Sequence, residues 1–321
     1  MPQYAVTGCA GFIGSNLVSR LLADGHEVIG IDNFSTGRRE FLSAAIKSPA
    51  FTLVEGDLLD TTTMDKALKG RSVSMVFHLA ANADVSSGVL HPRRDLEQNT
   101  IATHNVLEGM RSHDVSRIVF SSTGSIYGEP DVFPTPEDAP FPIQTSFYGA
   151  SKLAGEGLIA SFCEAFGFQA WIYRFVSVLG EGYTHGHVFD FYRKLQTDPN
   201  RIEVLGDGNQ QKSYMYIGDC LDGILLGVEK GTAPVNIFNL GLDDTIKVHD
   251  SLALIVDRLG LSPKVDYTGG KRGWVGDSPL IHLDCTRIRK LGWKPARSID
   301  QGVLCTLDWL RDNPWVFEGR E

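Results

Sequence analysis

Tyr4-Ala5-Val6-Thr7-Gly8-Cys9-Ala10-Gly11-Phe12-Ile13-Gly14 decides the fold of this 321-residue chain. Tyr4-Ala5-Val6 reads as a short buried strand, and Leu17, Leu21 and Leu22 beyond Gly14 mark an amphipathic helix. Strand, glycine turn and helix in that order open a doubly wound α/β sheet. Gly8 permits the tight turn. Gly11 lets backbone N–H groups approach a pyrophosphate at the helix N-terminus, with Phe12 and Ile13 beside it, and Gly14 lets the helix pack close to the sheet. The spacing from Gly8 to Gly11 is one residue longer than in the dinucleotide fingerprint G-x-G-x-x-G.

Outward from that turn, a second strand, Glu27-Val28-Ile29-Gly30-Ile31, ends in Asp32, where an acid accepts hydrogen bonds from an adenosine ribose. A carboxylate there repels a 2′-phosphate, so NAD is expected over NADP. Arg38 and Arg39 read as solvated charges at the start of a surface helix. Strand-like segments at 4–6, 28–31, 51–54, 74–77, 117–121 and 169–175 alternate with helical patterns, the signature of a parallel sheet of Rossmann type. From about residue 179 loops rich in Gly, His, Asp and Pro take over, with helices expected over 188–196 and 248–259. The expected division is a cofactor domain over 1–178, to which 219–242 returns, and a smaller interleaved substrate lobe of 179–218 and 243–321.

Composition narrows the function classes. At 42% hydrophobic the chain has ample material for a core, and no run of ~18 apolar residues suggests a membrane span. The chain enters its first strand without a basic segment and apolar signal core, so cytoplasmic residence without a membrane partner is expected. Cys9, Cys163, Cys220, Cys285 and Cys305 are scattered, without Cys-x-x-Cys spacing, and read as free thiols. A net charge of −9 argues against nucleic acid. Anionic ligands would need local cations and helix N-termini to offset that field.

Tyr148 and Lys152 stand at i and i+4, on one helix face. A phenol with a reference pKa of ~10 is a poor base near neutrality, and an ammonium at ~4 Å offers its anion roughly 4 kcal/mol, about the size of that gap. The pair reads as a proton shuttle for an alcohol or ketone; by itself it also suits an ordinary amphipathic helix.

Taken together, the glycine turn, Asp32, His78-Leu79-Ala80-Ala81, Ser121-Ser122-Thr123 and the Tyr148/Lys152 pair resemble the extended short-chain dehydrogenase/reductase family, over nearly the whole chain. Within it the chain looks most like nucleotide-sugar 4-epimerases, in Asp32-Asn33-Phe34-Ser35-Thr36-Gly37, Gly206-Asp207-Gly208-x-Gln210, Gly276-Asp277 and Leu291-Gly292-Trp293-Lys294-Pro295.

The resemblance implies catalytic Thr123, Tyr148 and Lys152, with Lys152 also holding the nicotinamide ribose. It implies cofactor contacts at Asp32, Asn33, Ser35, Thr36, Gly37, Asp57, Leu58, Leu79, Ala80, Ala81, Asn99, Ser121 and Val176. For a nucleotide sugar it points to Ser177, His187, Val188, Leu205, Lys212 and Arg272, with Ile281 limiting the sugar pocket. Relatives often carry Asn at Ser177, Arg at Lys212, Asp at Ser213 and Arg at Trp274, so a point charge replaces a bidentate fork at Lys212. His185 and His187 invite a metal reading, but no third ligand accompanies them, and a substrate-loop contact is preferred. A homodimer through the helices after His104 and around Tyr148 is implied by the resemblance, although core packing accounts equally for their apolar faces.

The family's shared opening move gives a 4-keto sugar with hydride on NAD. A 4,6-dehydratase presents Asp-Glu after the Thr and a decarboxylating relative carries Glu at the second of these positions; this chain has Gly124-Ser125. Reversible C4 epimerisation of a nucleoside diphosphate sugar, UDP-sugars favoured, is therefore expected. A 4-keto reductase is the nearer rival, and a non-catalytic NAD-sensing protein the rival of another class.

Overall fold

The computed structural model describes residues 1–141, 143–273, 278 and 280–318. Seven strands, β1 (Gln3–Thr7), β2 (Glu27–Asp32), β3 (Phe51–Glu55), β4 (Val73–His78), β5 (Arg117–Thr123), β6 (Gln169–Phe175) and β7 (Val235–Leu240), form one sheet in the order β7-β6-β5-β4-β1-β2-β3. Every pairing is parallel. Strands buried on both faces need near-continuous apolar runs. Ile118-Val119-Phe120 and Ala170-Trp171-Ile172-Tyr173, all buried, provide them.

The chain fills one side of β1 with β2 and β3, then returns to the other side at β4. Strand order thus reverses between β1 and β4, and ligands of open α/β sheets bind in the crevice at the carboxyl ends of such strands. Helix α1 (Phe12–Ala23) leads out of β1, and α2 (Thr62–Leu68), α3 (Ala102–Ser112), α4 (Phe147–Phe166) and α6 (Ile217–Lys230) complete the layers around the sheet. Helix α4 starts at Ser146, whose side chain accepts from the Gly149 N–H at 3.0 Å, and stops at Gly167 in the left-handed region. These caps place Tyr148 in its first turn.

A second hydrophobic cluster holds α5 (His187–Thr197), α7 (Val248–Leu259) and α8 (Ile299–Asp312) together through Leu179, Val188, Phe189, Ile255, Val303 and Leu307. The late Leu291-Gly292-Trp293-Lys294-Pro295 stretch ties this region to α6: the Trp293 indole donates to the Asp219 carbonyl, and the Asp219 carboxylate accepts from the N–H groups of Ala296 and Arg297.

Two sequence expectations change. Strand β5 runs through Thr123 instead of stopping before it, so that hydroxyl stands on the rigid sheet. Arg38 is not a solvated charge; its guanidinium donates to the carbonyls of Val316 and Glu318, while Arg39 pairs with Glu55 over the Phe34 ring. All five cysteines are free. No helix of the described residues is long and apolar enough to cross a membrane.

Candidate active site

The crevice begins at the glycine turn. Gly8 has φ +69°, and a Cβ there would lie 2.8 Å from the Ala80 nitrogen at the end of β4. A Cβ on Gly14 would lie 2.0 Å from the Gly8 carbonyl oxygen, so helix α1 crosses directly over the turn. Gly11 caps α1 without any side-chain hydrogen bond, leaving the first N–H groups of the helix facing the crevice.

Asp32 has a task the sequence did not signal. Its carboxylate accepts from the N–H of Ala10 at 2.9 Å and of Phe34 at 2.8 Å, and the Arg38 N–H donates to the Ala10 carbonyl. Burial pushes this carboxyl up, while the N–H groups of Ala10, Phe34 and Asn33 hold it down. Nearby, Asn33 donates to Asp57 and accepts from Ser35, so the positions expected to surround the adenosine form one linked loop. Gly37 packs against Ala10 and Asp32, and Leu58 is buried beside Asp57.

Asp32→Ala removes both backbone ties, which weakens every dinucleotide, and also the charge expected to face the ribose, which would favour the dinucleotide lacking a 2′-phosphate. The ratio of dissociation constants for NAD and NADP isolates the second effect. It is expected to narrow about tenfold, the equivalent of one charge-assisted hydrogen bond. An unchanged ratio would remove the ribose contact.

Across the crevice, Thr7, His78 and Thr103 form a buried chain. The Thr103 hydroxyl donates to the Asn99 carbonyl at 2.6 Å, so it accepts from His78 Nε2, and His78 Nδ1 accepts from Thr7. Burial holds this imidazole neutral, with its pKa down to about 3. Thr7 in turn accepts from the N–H groups of Leu79 and Ala80, which fixes the Leu79-Ala80-Ala81 edge.

Asn99 lies in a π-helical turn, Leu96–Ile101, that leads into α3. Its amide nitrogen donates to Ser151 at 3.0 Å, and Ser151 donates to the Tyr148 carbonyl at 2.8 Å. Asp95 holds Asn82 and Asn99 through one carboxylate oxygen.

Thr123, at the end of β5, hydrogen-bonds the Tyr148 side chain, and Lys152 follows Tyr148 by one turn of α4. Burial is the largest influence on the Tyr148 phenol and pushes it up to about 12; a hydrogen bond with the Thr123 side chain opposes this, and Asp95 adds to it. The lowering expected from Lys152 is not among these influences. Its ammonium lies 4.5 Å over the Phe120 ring, 1% exposed, and its nitrogen has no hydrogen-bond partner among the described residues. Burial brings Lys152 down to about 7, with Glu156 opposing. An unpartnered ammonium at such a depth calls for an acceptor that the protein itself does not supply.

Ser121 and Val176 flank this group at the ends of β5 and β6, both buried. Beyond Thr123, Gly124 faces the side chains of Ile281 and Leu283, which would lie 3.3–3.4 Å from a Cβ built there. Ile281 pairs with Lys212 in a small sheet. Lys212 acts on His187, whose Nε2 lies 2.8 Å from the Ser251 hydroxyl and whose ring, brought down to about 3 chiefly by burial, stays neutral. His187 also packs on Tyr214, the register partner of Ser177.

Ser177, His187, Lys212 and Ile281 are thus linked one to the next, and Ile281 lies against Gly124. Val188 is buried in the second cluster, Leu205 is exposed at a turn, and Arg272 pairs with Glu129. Ser213 is fully buried and bonded to Leu242, a structural role. Trp274, Gly276 and Asp277 lie outside the described residues.

Residues 4–241 match the model of the NAD dependent epimerase/dehydratase family. The chain belongs to that family. The UDP-glucose 4-epimerase of Mycolicibacterium smegmatis is 31% identical over 96% of this chain and 98% of its own length. The Thermotoga maritima UDP-glucose 4-epimerase, solved with UDP-glucose, superposes with a TM-score of 0.88 at 32% identity, over 97% of this chain and 99% of that one. The dTDP-glucose 4,6-dehydratase DesIV of Streptomyces venezuelae, solved with NAD, does so at 0.88 and 27% identity, over 98% and 99%. The protein is an enzyme of this extended short-chain dehydrogenase/reductase group and its cofactor is NAD. The residues present suit that cofactor. Glycines whose added Cβ atoms would meet backbone let strand end, turn and helix N-terminus come together as pyrophosphate binding requires, and the buried Lys152 ammonium has no acceptor among the described residues.

Sequence reasoning missed Glu156 and Arg174. Their signals were a second i+4 step beyond Lys152 and a lone charge inside the apolar run Trp171-Ile172-Tyr173-Arg174-Phe175.

Proposed function

We propose that the protein inverts C4 of a nucleoside diphosphate sugar, with UDP-sugars favoured. The observation that carries this reading is the ground just past Thr123. Gly124 lies against aliphatic Ile281 and Leu283, and Ser125 donates its N–H to Thr123 at 3.1 Å, so neither position supplies the acid that dehydration or decarboxylation needs.

In this reading the Thr123 hydroxyl holds the C4 oxygen beside the Tyr148 phenol. Tyr148, as its anion, takes the C4 hydroxyl proton and later returns it to the C4 oxygen, inversion coming from the face of C4 that receives the hydride. Lys152 supplies positive charge next to the phenol and donates to the ribose. NAD supplies the hydride acceptance and return, so it is not consumed. The 4-keto sugar turns beside Gly124, which adds no side chain of its own, while Ser177, His187, Val188, Leu205, Lys212 and Arg272 hold the nucleotide end. A neutral His187 beside Lys212 leaves the lysine as the local cation for the diphosphate. Leu96, Ile101, Phe147 and Phe166, exposed on or beside α3 and α4, suit a homodimer.

Incubation with UDP-, GDP-, CDP- and dTDP-sugars, followed by NMR, tests this. A C4-inverted product with no net NADH is expected. Loss of water or carbon dioxide, or stoichiometric consumption of reduced cofactor, would overturn it.

A further inference from the structure

Beneath the site lies a buried ion pair that the chemistry above does not use. Arg174 on β6 and Glu156 on α4 are 2% and 6% exposed. The guanidinium binds the carboxylate as a fork, Nε to Oε1 at 3.1 Å and Nη2 to Oε2 at 2.7 Å. The Ser122 hydroxyl on β5 donates to Glu156 as well.

Each member of this trio is a short step from a residue of the site. Ser122 precedes Thr123, Glu156 follows Lys152 by one helical turn, and Arg174 stands just before Val176 and Ser177. Arg174 reaches further, to the Tyr127 hydroxyl at 2.7 Å and the Glu137 carbonyl at 2.8 Å. Tyr127 donates to Asn239, whose amide nitrogen donates to the carbonyls of Thr135 and Asp284, next to Leu283 on the wall facing Gly124. One network thus runs from α4 through β5, β6 and β7 to the segment that carries Leu283.

We propose that Glu156 is a positioning residue for the reaction: held by Arg174 and Ser122, it sets a carboxylate one helical turn from Lys152 and locks the Tyr148/Lys152 helix in register with the Thr123 strand. The proposal rests on Tyr148 and Lys152 being the proton-transfer pair and is indifferent to the sugar. Charged and titratable groups around Lys152 leave few other sources for that charge. From β4 comes His78, which is neutral, and from β5 the Phe120 ring; α4 itself contributes Tyr148 and Glu156, and Asp95 acts on Tyr148. Of these, Glu156 is the group that favours the charged form of Lys152 against its burial.

Removing Glu156 alone strands a buried guanidinium, so the test removes both charges. In holoenzyme carrying E156Q/R174M, the Lys152 side chain, followed by NMR of its labelled ε carbon, should lose its proton at a lower pH than in the wild type, because Glu156, and not Arg174 behind its ion pair, is the charge that acts on Lys152. The alkaline limb of kcat should move down by the same amount, because an ammonium without its anionic neighbour deprotonates at lower pH. Ser122→Ala, which keeps both charges, tests the lock: kcat should fall severalfold with KM unchanged. An unmoved Lys152 midpoint in the double variant, or an unchanged kcat in Ser122→Ala, would overturn the proposal. The titration needs no sugar, so its result stands apart from any failure to find a C4-inverted product.

Discussion

Tyr148→Phe is expected to lower turnover by ~10²- to 10⁴-fold, about 3–5 kcal/mol of barrier, while NAD stays bound at the wild-type stoichiometry. The substitution deletes one oxygen and leaves the ring, so α4 and its cap at Ser146 are untouched. What is lost, in the proposed reaction, is the atom that exchanges a proton with the C4 oxygen. Within the protein that phenol is a reluctant base, pushed up to about 12 by burial, with Asp95 adding and Thr123 opposing. Its ionisation in the working enzyme therefore depends on positive charge brought close to it, from Lys152 and from the oxidised nicotinamide. Because the anion is the proposed active form, wild-type turnover should rise with pH along an acid limb, and Tyr148→Phe should abolish that limb as well as most of the rate. Near-normal turnover, or an acid limb that survives the substitution, would take the proton-transfer role away from Tyr148.

How much of this was legible follows from the range of the interactions. The glycine turn, Asp32 and the Tyr148/Lys152 pair are local patterns, each carried by a strand end or a helix face, and the strands they predict pair in the expected parallel sheet. The networks that make the site work are not local. Ser122 and Glu156 are 34 residues apart, and Asn99 reaches Ser151 across 52. No spacing rule links such residues, and polar side chains in apolar runs read as exceptions until their partners are known. The charge on Lys152 shows the same limit. An i,i+4 geometry suggested direct stabilisation of the phenolate, but burial depth, invisible in a sequence, acts on both groups in the direction that keeps each neutral.

Gly14→Ala should cost the enzyme its cofactor while leaving most of the chain folded. The added methyl would lie 2.0 Å from the Gly8 carbonyl oxygen, 2.8 Å from the Gly8 carbonyl carbon and 3.0 Å from the Cys9 Cα. All three are backbone atoms, so no side chain can rotate away, and helix and turn must part. The turn resists on its other side. Gly8 rests on Ala80, its N–H donates to the Ile31 carbonyl, and Ala10 is tied to Asp32 and Arg38. Separation therefore moves the N-terminus of α1 away from the turn whose N–H groups must converge on one pyrophosphate. Overpacking of this kind costs about 1–3 kcal/mol of stability, and misplacing the anion site costs a further ~3 kcal/mol of binding, on the order of a hundredfold in affinity. The expected result is a protein purified with little NAD, a lower denaturant midpoint and turnover partly restored by added NAD. Full NAD occupancy after purification, with an unchanged midpoint, would show that the helix does not bear on the turn as its backbone contacts require.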